Sequence, residues 1–255
     1  ADITYRPVFL SADAVATAIA PFENCGKLEL PTPGTTGYGP DTPITVTGQV
    51  AATETRIRIF DTLRDLGAGR QVIVDTEVLN PTLCLVSESL PNAPTGDIGI
   101  DYAFGDSGEV NDSGRFFVGE NPVIDVVLPA DVTSGFLSVS ILDVSGNVYH
   151  LLPNISREDN SVQALREGRE GEVPVRVAFA LSEAAGTGKL AFKVDDSALG
   201  KSMVIAIHST EPLFDGLRPS AENAEAYVEA LKTFAEANDN RIVSLDSRLL
   251  VTAKP

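Results

Sequence analysis

The chain is poor in cations, sulfur and histidine, and it has no long apolar run. Lysine and arginine total 19 against 36 aspartates and glutamates, a net charge of −17 at pH 7. That balance repels a phosphate backbone and anionic lipid, so nucleic acid is not an expected partner. Its plainest role is to keep the surface solvated. No stretch reaches the roughly 18 apolar residues that a membrane helix requires. No membrane span is therefore expected in this chain, and no basic start followed by an apolar stretch marks a secretory leader. The opening Ala1-Asp2-Ile3-Thr4 lacks a methionine. It fits either a mature secreted form or an ectodomain tethered upstream, and the residues do not choose between them.

The chain holds only two cysteines, Cys25 and Cys84. They form no C-x-x-C pair, which argues against a redox role. Two states are open to them: buried thiols acting as small apolar groups, or a disulfide. The disulfide is the expectation. It closes a loop of about 59 residues, worth ~4 kcal/mol in the chain-entropy picture. It also places the protein outside the reducing cytoplasm, in a periplasmic or extracellular setting.

What is present is ample apolar material. Hydrophobic residues make up 43% of 255 and charged residues 22%, enough for one large domain or two ordinary ones. Residues 11–22 read as a short helix capped by Ser11, with Ala14, Val15, Ala18 and Ile19 at helical spacing. Residues 31–43, rich in proline and glycine, read as a loop. Ile44 to Val50 alternates as a strand. Thr53 is positioned to cap the next helix, whose Ile57, Phe60, Leu63 and Leu66 form the expected buried face before Gly67 ends it. Gln71 to Leu79 reads as a strand with Val72, Val74, Thr76 and Val78 on one face. Pro81 stops it, and a short apolar turn or helix holds Cys84.

Residues 91–97 read as a linker, giving expected domains of 1–92 and 97–255. Beyond the linker the period becomes two: Ile98, Ile100, Tyr102 and Phe104 alternate. Further strands are expected near 115–118, 122–128, 136–143, 147–152, 173–180, 189–194, 202–208 and 242–251. This spacing predicts an antiparallel β-sandwich or barrel. One helix, 221–237, interrupts it, with Ser220 as cap and Ala224, Tyr227, Val228, Leu231, Phe234 and Ala235 as its apolar stripe. The fold class is therefore α+β: a small disulfide-clasped α/β module, then an antiparallel sandwich with one C-terminal helix.

The chemical motifs are sparse. Gly186-Thr187-Gly188-Lys189 is partly similar to a phosphate-binding loop. Glu183 stands where the first glycine of that pattern belongs, and Leu190 replaces the Ser or Thr after the lysine. A hairpin turn between two strands is the better reading. Asp101, Asp106, Glu109 and Asp112 supply oxygens of the kind calcium accepts, but in no calcium-loop spacing, so a solvated hairpin loop is expected. Asp143-Val144-Ser145-Gly146-Asn147 is explained by turn chemistry. His150 and His208, the only histidines, lie at strand ends with no nearby carboxylate set for a metal. A Ser/His/Asp set is not excluded by counting, yet no Gly-x-Ser-x-Gly elbow occurs. Leu213 and Phe214 are expected core plugs. No catalytic, metal or cofactor residue is assigned. Cys25 and Cys84 are the only site residues named.

Two segments carry resemblances. Gly146-Asn147-Val148-Tyr149-His150-Leu151-Leu152-Pro153-Asn154, His208-Ser209-Thr210-Glu211-Pro212-Leu213-Phe214 and the following helix resemble a domain of unknown function. That domain is appended to bacterial serine/threonine kinases and caspase-like proteins, on the far side of the membrane from the kinase. The likeness covers about residues 97–240 and brings no catalytic residues with it. Ile44-Thr45-Val46-Thr47-Gly48-Gln49-Val50, the helix 54–66 and Val72 to Val78 resemble a BON-type module of periplasmic and outer-membrane proteins, over about residues 10–80. Some BON members are linked to membrane or phospholipid attachment, which the acidity of this chain opposes.

Together these imply a non-enzymatic, extracytoplasmic binding or sensory region that presents loops or a groove to an unidentified protein or small-molecule ligand. A structural cell-envelope interaction protein is the alternative. A hydrolase using paired carboxylates is a third, which needs two carboxylates converging in one pocket at ~5–10 Å.

Overall fold

In the computed structural model, which describes residues 9–26, 28–31, 37–90, 98–237 and 241–255, Ser11 begins the first helix, α1 (Ala12–Ile19). Its hydroxyl accepts the Ala14 N–H at 3.2 Å. The linker residues 91–97, part of the 31–43 loop and the Ala235 side chain lie outside the described residues. The fold is α+β, and it separates into two compact units, Ala1–Glu88 and Ser89–Pro255.

In the first unit α1 is followed by β1 (Leu28–Glu29), β2 (Ile44–Val50), α2 (Thr53–Leu66), β3 (Val72–Val78) and α3 (Pro81–Ser89). The sheet runs β1-β2-β3. β2 and β3 are parallel, with α2 as the crossover, and β1 adds antiparallel. Ile44, Val46 and Val50 alternate into a core shared with Val15, Ile19, Ile59 and Leu63. Asn80 starts α3 by accepting the Leu83 N–H at 2.8 Å, and Pro81 sits at the first helical position, where its missing N–H costs nothing. α3 carries Cys84 to Cys25. The two are disulfide-bonded, Cα to Cα 4.5 Å, and both are buried. The bond ties the chain just past α1 to α3, which follows the last strand.

The expected cap of α2 fails, and its expected buried face holds only for Leu63 and Leu66. Its cap residue is Ala52, which gives no side-chain bond, and Thr53 is already helical. The buried face is Thr55, Ile59 and Leu63, while Ile57 is 57% and Phe60 40% exposed. Positions 55, 59 and 63 form the i,i+4 ridge over the sheet. Ile57 and Phe60 point away from it, and apolarity alone did not reveal which ridge faced inward.

The second unit contains β4 (Gly99–Phe104), β5 (Arg115–Phe117), β6 (Pro122–Leu128), β7 (Phe136–Leu142), β8 (Asn147–Leu152), α4 (Val162–Arg166), β9 (Val173–Ala178), α5 (Leu181–Ala184), β10 (Gly200–Ser209), β11 (Ala221–Asn223), α6 (Ala224–Ala237) and β12 (Ile242–Ala253). Six strands pair in the order β11-β8-β7-β10-β12-β5 and three in the order β4-β6-β9. Alternate residues of both sheets meet in one apolar core: Ile100, Tyr102, Ile124 and Val126 from the small sheet, and Leu137, Val139, Val204 and Leu250 from the large one. On the opposite face of the large sheet α6 lies against β8, with Tyr227 buried over His150.

Here too the structure departs from expectation. The pairing is not wholly antiparallel, since β5 runs parallel to β12. Residues 221–223 are the short strand β11, not helix, because they complete the large sheet beside β8. The helix is consequently capped by Asn223, whose Oδ1 accepts the Ala226 N–H at 2.8 Å, and not by Ser220. Residues 189–194 alternate but form no strand. Their backbone is taken by single bonds, Phe179 N–H to the Leu190 carbonyl and Val194 N–H to the Glu120 carbonyl, both 2.8 Å. The Gly186–Lys189 turn therefore follows α5 and is not the tip of a paired hairpin.

Candidate functional site

The structure brings a serine, a histidine and a carboxylate together where the sequence offered no recognisable motif. Ser140 on β7 stands directly opposite His150 on β8, so both side chains share one face. Ser140 Oγ lies 3.0 Å from His150 Nδ1, and His150 Nε2 lies 2.7 Å from Glu222 Oε1 on β11. Arg218 grips the same carboxylate, Nε to Oε1 at 2.9 Å. Burial pushes the His150 imidazole below its ordinary range, outweighing the Glu222 hydrogen bond. Burial opposes ionisation of Glu222, but Arg218 and His150 outweigh it and hold the carboxyl low. At neutral pH the pattern is a neutral imidazole with its proton on Nε2, receiving the Ser140 hydroxyl on Nδ1.

This set is enclosed. Ser140 is 3% and His150 7% exposed. The rings of Tyr227 and Phe214 lie 5.7 and 6.3 Å from the imidazole. Burial raises the Tyr227 hydroxyl to about 12, against a hydrogen bond with Ser140 that lowers it. A nucleophile needs a substrate atom within reach of both itself and its base, and here that space is filled by α6 and Phe214. In this conformation the three groups act as a satisfied polar network across three neighbouring strands of one sheet, β7, β8 and β11, covered by Tyr227 of α6.

The other histidine is placed differently. His208 Nε2 meets the Ser134 carbonyl at 2.8 Å, while its Nδ1 and the hydroxyl of Ser244, directly opposite on β12, have no hydrogen-bond partner among the described residues. Two residues along, Asp246 accepts the Ile100 N–H at 3.0 Å, and burial raises its carboxyl above the usual range. Of the acidic cluster, Asp101 meets Arg248 at 3.6 Å, while Asp106, Glu109 and Asp112 lie exposed around a turn. Among the described residues no group of three His, Cys, Asp or Glu is placed to hold a metal ion.

The open site is a groove beside β9. It has a volume of about 510 Å3 and a floor that includes Leu152, Val177, Phe179 and Leu190. An adjoining depression of about 450 Å3 shares Pro174, Arg176, Phe179 and Lys189 with it. Three turns supply the rim. After the cis Leu152–Pro153 bond, Asn154 Oδ1 accepts the N–H groups of Ser156 and Arg157, at 2.8 and 3.1 Å, and sets Arg157 in place. Glu167 caps α4 in a left-handed conformation. Arg169 then folds back, its Nε donating to the Arg166 carbonyl at 3.1 Å. Gly186 and Gly188, both near φ +74°, turn the chain so that Lys189 Nζ lies 4.7 Å above the Phe179 ring. Arg176 itself is engaged: it bonds Asp125 through two nitrogens at 3.0 Å and Glu183 at 3.2 Å, and Asp125 foremost raises its already high pKa.

Four cations line these two depressions against three carboxylates, Asp125, Glu167 and Glu183, in a chain whose net charge is −17. Asp125 and Glu183 are already bound to Arg176, and Glu167 lies 3.9 Å from Arg169. Lys189 has no ion-pair partner among the described residues. Asn121 holds the wall in place. Its Nδ2 donates to the carbonyls of Phe192 at 2.8 Å and Phe179 at 3.3 Å, and its Oδ1 accepts the Leu181 N–H at 2.7 Å. The available sequence signal was the density of arginine at 157, 166, 169 and 176 in a cation-poor chain. For Asn121 there was none. Compared with family models, curated proteins and solved structures, the chain matches none of them.

Proposed function

We propose that this chain is a non-enzymatic, extracytoplasmic binding or sensory region of a bacterial signalling or cell-envelope protein. On this reading its first unit is a BON-like module, and its second is a β-sandwich of the kind appended to kinases and caspase-like proteins. The observation that carries the reading is a contrast within the second unit. An arrangement resembling catalytic machinery, Ser140–His150–Glu222, is enclosed, whereas the charged groove beside β9 is open. The Cys25–Cys84 disulfide supports an oxidising compartment, since such bonds are reduced in the cytosol. No helix of the described residues is long and apolar enough to cross a membrane.

The test is a melting-shift screen of the full chain against envelope-derived metabolites, glycans and peptides, run beside ester, glycoside and peptide hydrolysis panels. A saturable upward shift with no turnover is the expected result. Turnover abolished by Ser140→Ala or by His150→Gln would overturn it.

A further inference from the structure

β9 is an edge strand, paired with β6 on one side only. The Arg176 carbonyl points to the free side, where Arg157 reaches it only at 3.4 Å. Pro174 has no N–H and cuts the edge short, which opposes a long ladder with another copy. The groove and its adjoining depression share Pro174, Arg176, Phe179 and Lys189 and so follow one another along the strand. A small anion would occupy one of them. An extended chain, advancing about 3.3 Å per residue, crosses both.

The rim decides the charge. Arg157, Arg169 and Lys189 stand over an apolar floor, and among the described residues Lys189 has no carboxylate to meet. We propose that this groove takes an extended peptide segment whose acidic side chains meet Arg157, Arg169 and Lys189 while its apolar ones rest on Leu152, Phe179 and Leu190. The proposal rests on the reading of the chain as a binding region and names the ligand class of its open site. The long-range field of an acidic protein opposes such a ligand. At physiological ionic strength, however, the screening length is about 8 Å, so distant carboxylates fade while groove contacts persist.

The experiment uses the full chain at physiological salt and two fluorescein-labelled decapeptides, one alternating glutamate with valine and one alternating lysine with valine, read by anisotropy. The glutamate peptide is expected to bind about tenfold or more tighter than the lysine peptide. Lys189→Glu combined with Arg169→Glu should cost at least about tenfold, and Lys189→Met alone a smaller factor. Lys189→Met should keep the parent's circular dichroism and melting temperature, because its side chain is exposed. The double variant also loses the Arg169 bonds to the Arg166 and Leu165 carbonyls, so its binding is compared well below its own melting transition and with its circular dichroism checked. Equal binding of the two peptides, no saturable binding of either, or undiminished binding by the charge-reversed variant overturns the proposal. So does displacement of the peptide by inorganic phosphate or free glutamate at concentrations near the peptide's own Kd. None of these outcomes bears on whether the chain turns over substrate, which the hydrolysis panels decide separately.

Discussion

His150 Nε2 lies 2.7 Å from Glu222 Oε1, and neither side chain is more than 7% exposed. Both groups ionise below their ordinary values in the folded protein. As pH falls through about 6.5, the unfolded chain takes a proton on this histidine that the folded chain refuses, so stability falls. It is fully present above that value and declines below it. In the carboxylate range Glu222 continues the decline, while Asp246, raised by burial, works the other way. The informative window is therefore pH 7.5 to 5.5. Urea melts across it should show stability dropping for the parent and a flatter slope for His150→Gln. Parallel slopes would mean that the imidazole is not held neutral.

Two buried serines should behave oppositely. Ser140→Ala leaves His150 Nδ1 without its 3.0 Å partner and should cost about 1–2 kcal/mol. Ser244 is fully buried but its hydroxyl has no partner among the described residues, so Ser244→Ala should stay within about 0.5 kcal/mol of the parent or stabilise. Denaturant midpoints of the two variants check this, and a larger loss at Ser244 would contradict it.

Asn121→Ala strips partners from two carbonyls and one N–H on the wall of the groove. The expected cost is about 2–3 kcal/mol. Faster amide exchange should be confined to the 179–192 segment, with the Leu181 amide the most affected. Uniform exchange across the second unit would show that Asn121 supports the core and not the wall.

The disulfide acts on one unit. Replacing both Cys25 and Cys84 with alanine should cost the first unit up to ~4 kcal/mol. Calorimetry should show its transition move down while that of the second unit stays in place. A common shift of both would mean that the units unfold together.

Residue pattern alone was sufficient where the physics is local. Strand alternation marked β2, β4 and β9, because a half-buried strand must place every second side chain in the core. The Ser11 cap was legible because one hydroxyl satisfies one nearby N–H. The pairing of Cys25 with Cys84 was legible because no other cysteine competes. Tertiary structure decided what depends on partners distant in the chain. In α2 it chose Ile59 over Ile57 for burial, since a helix carries several apolar ridges and only the neighbouring sheet selects one. It turned residues 221–223 into a strand, because β8 had an unpaired edge to fill. It joined Ser140, His150 and Glu222, which are 10 and 72 residues apart, and then closed them beneath a helix. It also brought four of the chain's 19 cations, Arg157, Arg169, Arg176 and Lys189, together around one strand edge. Proximity across a sheet arises from register and not from spacing in the sequence, so no local reading could have supplied it.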